Sequence, residues 1–159
     1  TMTARRPRPK HIVPMLAVFF SVLIAVPANA DLVIHTDRGG DVSTYLRKVK
    51  DLKTSHTRAW IYGPCGSACT LYLGLGTLAC TTPHAKWQFH GPSGADGHSK
   101  LDPWVFEYTS KIMAAEYPPR LAEWFMAVGR NRTAKSYYTL KGSEVIAFGA
   151  RACPEFTPE

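Results

Sequence analysis

The chain has 159 residues, 19 Lys and Arg against 12 Asp and Glu, and a formal net charge of +7. That length fits one domain with one core, and the sequence holds no repeat and no low-complexity segment, which excludes a solenoid or a disordered linker. Four of the cations, Arg5, Arg6, Arg8 and Lys10, precede an apolar run; without them 15 cations face 12 anions, a balance of +3 that gives no footprint for nucleic acid.

Those cations, the run from Met15 to Val26 and Ala28-Asn29-Ala30 form the three parts of a secretory signal peptide, residues 1–30, cleaved after Ala30. The run has 12 residues, short of the roughly 20 that cross a bilayer, so no membrane attachment is expected after cleavage. Arg5-Arg6 is followed by Pro7-Arg8-Pro9, with no apolar residue, which favours ordinary secretion over twin-arginine export. Residues 31–159 are expected to be one periplasmic or secreted domain, and all four cysteines lie there. An oxidising compartment permits two disulfides, in any of three pairings.

From Asp31 the sequence reads Leu32-Val33-Ile34-His35-Thr36, a short strand, and then Asp37-Arg38-Gly39-Gly40. A double glycine after a strand marks backbone that turns with positive φ or lies against another segment. Residues 41–53 carry Val42, Tyr45, Leu46, Val49 and Leu52 at helical spacing. After a polar turn, Ala59-Trp60-Ile61-Tyr62 predicts a second strand, which leads into Gly63-Pro64-Cys65-Gly66-Ser67-Ala68-Cys69-Thr70. Residues 68–78 read as a short helix with so little polar surface that burial is expected, Ser67 being its N-cap or first residue. The next strand spans 85–90 and ends in Gly91-Pro92-Ser93-Gly94; 91–102 is rich in turn formers and predicts a surface loop. Asp102-Pro103 starts a helix over 103–116, Pro118-Pro119 breaks it, and 120–128 forms another, closed by Gly129. Tyr137-Tyr138-Thr139-Leu140, a short helix at 142–147, Gly149 and a last strand near 150–153 complete the chain. Strands alternating with helices predict an α/β layered fold with mainly parallel strands.

Parallel strands deliver their C-terminal ends to one edge of a sheet, and here those ends carry Gly39-Gly40, Ser67 and His90. A serine hydroxyl is inert at neutral pH; it needs a base in reach and donors aimed where an oxyanion develops. The strand-to-helix turn supplies one donor, the N–H of Ala68, at a helix end that favours negative charge. The Gly-Gly turn supplies a second and His90 the base. The plainer reading makes Ser67 a helix cap and His90 a strand-end residue, since small-residue turns around a serine are common.

The order strand, Asp37-Arg38-Gly39-Gly40-Asp41-Val42, helix, strand, Gly63 to Gly76, strand, Phe89-His90-Gly91-Pro92, helices, Ser143 to Gly149 resembles the Clp protease proteolytic subunit and its relatives in the crotonase-like superfamily. In that family an S-P-G-G turn gives an oxyanion donor, a G-x-x-x-S turn the nucleophile and an I-H-x-P strand end the base. The matching positions are Gly39 and Gly40, Ser67 with Ala68, and His90 with Pro92. Glu144-Val145-Ile146-Ala147-Phe148-Gly149 looks like the family's A-E-E-A-x-x-Y-G segment. The C-x-S-A-C-T signature at 65–70 also looks like that of a group of small exported proteobacterial proteins. The resemblance implies an ATP-independent serine peptidase with Ser67 as nucleophile, His90 as base and the N–H groups of Gly40 and Ala68 as oxyanion donors. It implies a peptide or protein substrate and no cofactor or metal.

The pattern departs from the family in three places. The aspartate position falls on Tyr137, and no acid stands between Asn131 and Gly142, so His90 lacks its carboxylate unless Asp96, Asp102 or Glu144 reaches it. The domain starts at the family's second strand, truncated at its N-terminus, and the helical segment that stacks the family's rings is shortened. A non-catalytic descendant that binds peptides or proteins is therefore the alternative. Related exported peptidases use a lysine base, for which Lys111 is the candidate, with a solvated surface lysine the plainer reading. Strand neighbours in the family imply Cys80–Cys153, taking Cys80 to begin the strand that ends at His90, which leaves Cys65–Cys69 to close a loop around Ser67. Buried reduced cysteines are the other reading. His35, His56, His84 and His98 have no ligand spacing. Trp104, Tyr108, Trp124 and Phe125 fall at helical spacing, as core or as the face of a homo-oligomer.

Overall fold

The computed structural model describes residues 30–154. The signal-peptide reading, apart from Ala30, lies outside the described residues.

Within them the chain is mixed α/β. Leu32–Ile34 (β1), Ala59–Ile61 (β2) and Ala79–Thr81 (β4) form a parallel sheet in the order β1-β2-β4. Cys65–Gly66 (β3), Lys86–Phe89 (β5) and Tyr138–Lys141 (β6) form a second sheet, β3 parallel and β6 antiparallel to β5. Helix α1, Val42–Thr54, starts at Asp41, whose carboxylate accepts the Thr44 N–H at 2.8 Å. Tyr45 and Val49 on its inner face are buried, and Tyr45 meets Tyr72 edge to face, with ring centroids 5.5 Å apart. Helix α2, Pro103–Ala115, is capped by Asp102, which accepts from the Trp104 N–H at 2.9 Å. Helix α3, Pro119–Ala127, contributes buried Leu121 and Phe125; a short α4 spans Gly142–Ala147.

Two readings of the sequence need correction and one is refined. The short apolar helix expected over 68–78, with Ser67 as its cap or first residue, is a 3-10 helix over Ser67–Leu78, broken where Gly76 turns to φ 59°. Its near absence of polar side chains does bury it, from Ala68 through Leu73. Cys80 does not begin the strand that ends at His90: it lies in β4, in the other sheet, and a turn separates β4 from β5. A three-residue strand with no alternation, joined directly to a buried helix, leaves no pattern to read. Finally, the strand expected at 150–153 reduces to one parallel bridge between Thr81 and Ala152.

Cys80 is bonded to Cys153 and Cys65 to Cys69, and among the described residues no cysteine is free. Two disulfides fit an oxidising compartment. No helix of the described residues is long and apolar enough to cross a membrane.

Candidate active site

Sheet register brings the predicted residues to one edge. Cys65 pairs with Trp87 and Gly66 with Gln88, both in parallel, and a parallel bridge joins Asp37 to Cys65. Continuing those rows by one or two residues sets Gly39, Ser67 and Phe89 abreast, with His90 one step beyond. On the other side of β5, the antiparallel register ends at Phe89 opposite Tyr138, which sets Tyr137 opposite His90. Arg38, Gly39, Gly40, Ser67, His90 and Tyr137 all line one cavity of about 710 Å³.

Ser67 is the first residue of the 3-10 helix and has φ 56°, a left-handed backbone uncommon outside glycine. Its turn is held from both sides. Its carbonyl accepts the Thr70 hydroxyl at 2.7 Å, and that hydroxyl also meets the buried Tyr117 hydroxyl at 2.7 Å. The Cys65–Cys69 bond spans the turn, with both cysteines fully buried.

Gly39 packs directly on this turn. It has φ 77°, and a β-carbon there would collide with the Gly66 carbonyl and come within 2.6 Å of the Ala68 nitrogen and 2.8 Å of the Ser67 β-carbon. Only glycine lets the two backbones approach this closely. The Gly39 N–H donates to Asp37 Oδ1 at 2.8 Å, and the Tyr45 hydroxyl donates to the same oxygen at 2.6 Å. Burial, then this bond to Asp37, pushes the Tyr45 phenol up, so it stays a donor at neutral pH. Asp37 and Tyr45 thus shape the Gly-Gly turn. Sequence reading missed this pair, although an Asp two residues before a glycine turn is the signature of a side chain that accepts from its own loop.

His90 is buried, and its Nδ1 lies 2.6 Å from the Gly91 carbonyl oxygen. Because a carbonyl only accepts, Nδ1 carries the proton and Nε2 keeps the lone pair. Nε2 is buried and makes no hydrogen bond among the described residues, the Ser67 hydroxyl included. Desolvation holds the imidazole below its ordinary range, partly opposed by the bond to Gly91, so it is neutral at pH 7. The Gly91 carbonyl therefore fixes the tautomer that a triad carboxylate would fix. Gly91 is itself held by the Arg132 carbonyl at 3.0 Å, and a β-carbon there would strike the Arg130 carbonyl.

Among the described residues no carboxylate replaces the acid. The Tyr137 ring sits against His90 instead, centroids 5.3 Å apart. Asp96 accepts from the N–H groups of His98 and Ser99 within its own loop; Asp102 caps α2; Glu144 accepts from the Lys141 N–H at 2.7 Å. Lys111 is an exposed residue paired with Glu107 at 3.4 Å, which is the plainer of its two readings. Of the aromatics, Trp124 and Phe125 pack against Phe89 in the core, while Trp104 and Tyr108 stack on each other in solvent. Among the described residues no group of three His, Cys, Asp or Glu side chains is placed to hold a metal ion.

No family model matches the chain, and no curated protein does. The functional reading therefore rests on the site itself.

Proposed function

We propose that this protein is an exported serine hydrolase acting on peptides, with Ser67 as nucleophile and His90 as general base, on a crotonase-like scaffold related to Clp-type peptidases. One observation carries the reading: a serine in a left-handed turn and a histidine with its Nε2 lone pair unpartnered line the same cavity. Strain and an orphaned buried acceptor are both unfavourable for folding, and both are what a nucleophile and its base require.

In the reaction Ser67 Oγ attacks the scissile carbonyl carbon while its proton passes to His90 Nε2. The carbonyl π electrons move onto oxygen, and the N–H groups of Gly40 and Ala68 receive that charge. The intermediate collapses, the C–N bond breaks, and Nε2 returns its proton to the leaving amine. Water then attacks the acyl-serine by the same route and frees the acid. Binding closes the space between Oγ and Nε2, since catalytic hydrogen bonds tighten only in the substrate complex. No step uses ATP. The imidazolium formed midway has a carbonyl dipole beside it in place of a carboxylate, so turnover is slow; loss of the acid from a full triad lowers kcat about 10⁴-fold.

The second reading is a binding protein that keeps the cleft without the chemistry. The Tyr137 ring in the place opposite His90 favours it. An alkyl fluorophosphonate separates the two, because it reacts only with an activated serine. A phosphonyl adduct mapped to Ser67 by peptide mass supports the hydrolase; folded protein that stays unlabelled assigns the cleft to binding.

A further inference from the structure

A second cavity, of about 720 Å³, adjoins the one at Ser67. The two share Pro92, Ser93, Gly97, His98 and Leu101 on one wall and Ala134 on the other, so one ligand can occupy both. Its charge is one-sided. Among the described residues, Lys100, Arg130, Arg132 and Lys135 line it against a single carboxylate, Glu107. Glu107 is already held by Arg130 at 2.6 Å. Lys100, Arg132 and Lys135 form no ion pair among the described residues. Arg132 lies over the Tyr138 ring at 5.4 Å, which orients its guanidinium without neutralising it.

Two separate segments supply these cations: Lys100 comes from the loop before α2, and the other three from the stretch between α3 and β6. Like charges brought together in a concavity repel one another, and the low-dielectric walls focus their field onto an anion entering it. Phe106, Pro103 and Leu101 give the same cavity an apolar side.

We propose that this cavity is an anion subsite continuing the cleft at Ser67, and that it selects peptides carrying a carboxylate near the bond presented to Ser67. The inference rests on the peptide-binding reading of that cleft, catalytic or not. The carboxylate comes either from a peptide C-terminus or from an acidic side chain, and its partners are Lys100, Arg132 and Lys135.

The test is calorimetric titration of the full mature chain carrying Ser67→Ala, which removes turnover, with three acetylated peptides of one sequence. The first ends in a free carboxylate, the second in an amide, and the third in an amide with one internal glutamate. The subsite predicts tighter binding of the first or the third than of the second; which of the two prevails identifies the source of the carboxylate. Each of Lys100→Gln, Arg132→Gln and Lys135→Gln weakens that preference roughly two- to fivefold, the range of exposed ion pairs. All three side chains are exposed, so the variants fold, and raised salt erases the preference. Equal affinities for the three peptides, or binding by none, overturn the subsite. Fluorophosphonate labelling of the wild-type chain reports separately: a labelled serine without carboxylate preference overturns this inference alone, and preference without labelling leaves a binding cleft.

Discussion

Ser67 holds φ 56° although its side chain fills no core position. A left-handed backbone at a non-glycine residue costs about 1–3 kcal/mol, and glycine returns part of that in chain entropy. Ser67→Gly is therefore expected to raise the unfolding free energy by about 0.5–1 kcal/mol in urea while removing all fluorophosphonate labelling. A loss of stability would mean that the serine is retained for packing. His90 makes a second residue-scale prediction. Burial lowers its folded-state pKa below the ordinary 6.5, so the unfolded chain binds the proton first. Above pH 6.5 both states are unprotonated and nothing is lost; as pH falls through 6.5 the unfolded state gains a proton that the folded state refuses, and stability declines. Labelling depends on the folded value alone, so the midpoint of its acid limb lies below pH 6.5. A rate that already halves at pH 7 would contradict the buried, neutral imidazole.

Among the elements, β5 carries most of the site's geometry, because β3 on one side and β6 on the other are registered to it. The parallel register aligns Ser67 with the end of β5; the antiparallel one places Tyr137 opposite His90. The glycines, Ser67 and His90 could be brought together from sequence because each closes a strand-like run with the same small-residue punctuation. Tyr138–Lys141 could not be read as a strand, since its pattern makes sense only against Lys86–Phe89, and antiparallel pairing between distant segments leaves no local mark. The resemblance singled out Gly40, but the part played by Gly39 was equally hidden. Gly39 packs on the Ser67 turn and its N–H is held by Asp37, which is consistent with the proposed mechanism taking the Gly40 N–H, not this one, as the oxyanion donor. The same register makes Tyr137→Asp the natural gain-of-function variant. It sets a carboxylate opposite His90, stabilises the imidazolium, and is expected to raise the labelling rate at least about tenfold, out of the roughly 10⁴ that such an acid contributes to a full triad. It also raises the histidine's pKa, so the acid limb of the labelling profile moves to higher pH. An unchanged rate in folded protein would contradict the placement of position 137 where a carboxylate acts on the His90 imidazole.

At the scale of the whole molecule, two disulfides divide the work. Cys65–Cys69 is local to the Ser67 turn, whereas Cys80–Cys153 joins residues 73 apart and fastens the end of the described chain to β4 beside the Thr81–Ala152 bridge. Closing a loop of that length removes unfolded-state entropy equivalent to about 4 kcal/mol, of which 2–4 is commonly measured. Replacing both Cys80 and Cys153 by Ala is expected to lower stability by about that amount while leaving labelling of Ser67 intact. Loss of labelling in folded protein would instead tie the chain end to the site. The α/β class and the mainly parallel strands were legible from alternating periodicity; the split into two sheets was not, because two- and three-residue strands carry too few side chains to show which face they share.

Activation of Ser67 by His90 is read from the second-order rate of fluorophosphonate reaction with wild type and His90→Ala, followed by intact mass at neutral pH. A His90 base gives a single adduct on Ser67 in the wild type and a rate at least about 10²-fold lower in the folded variant, the usual contribution of a positioned general base. Equal rates in the two proteins, or no adduct in either, would contradict it.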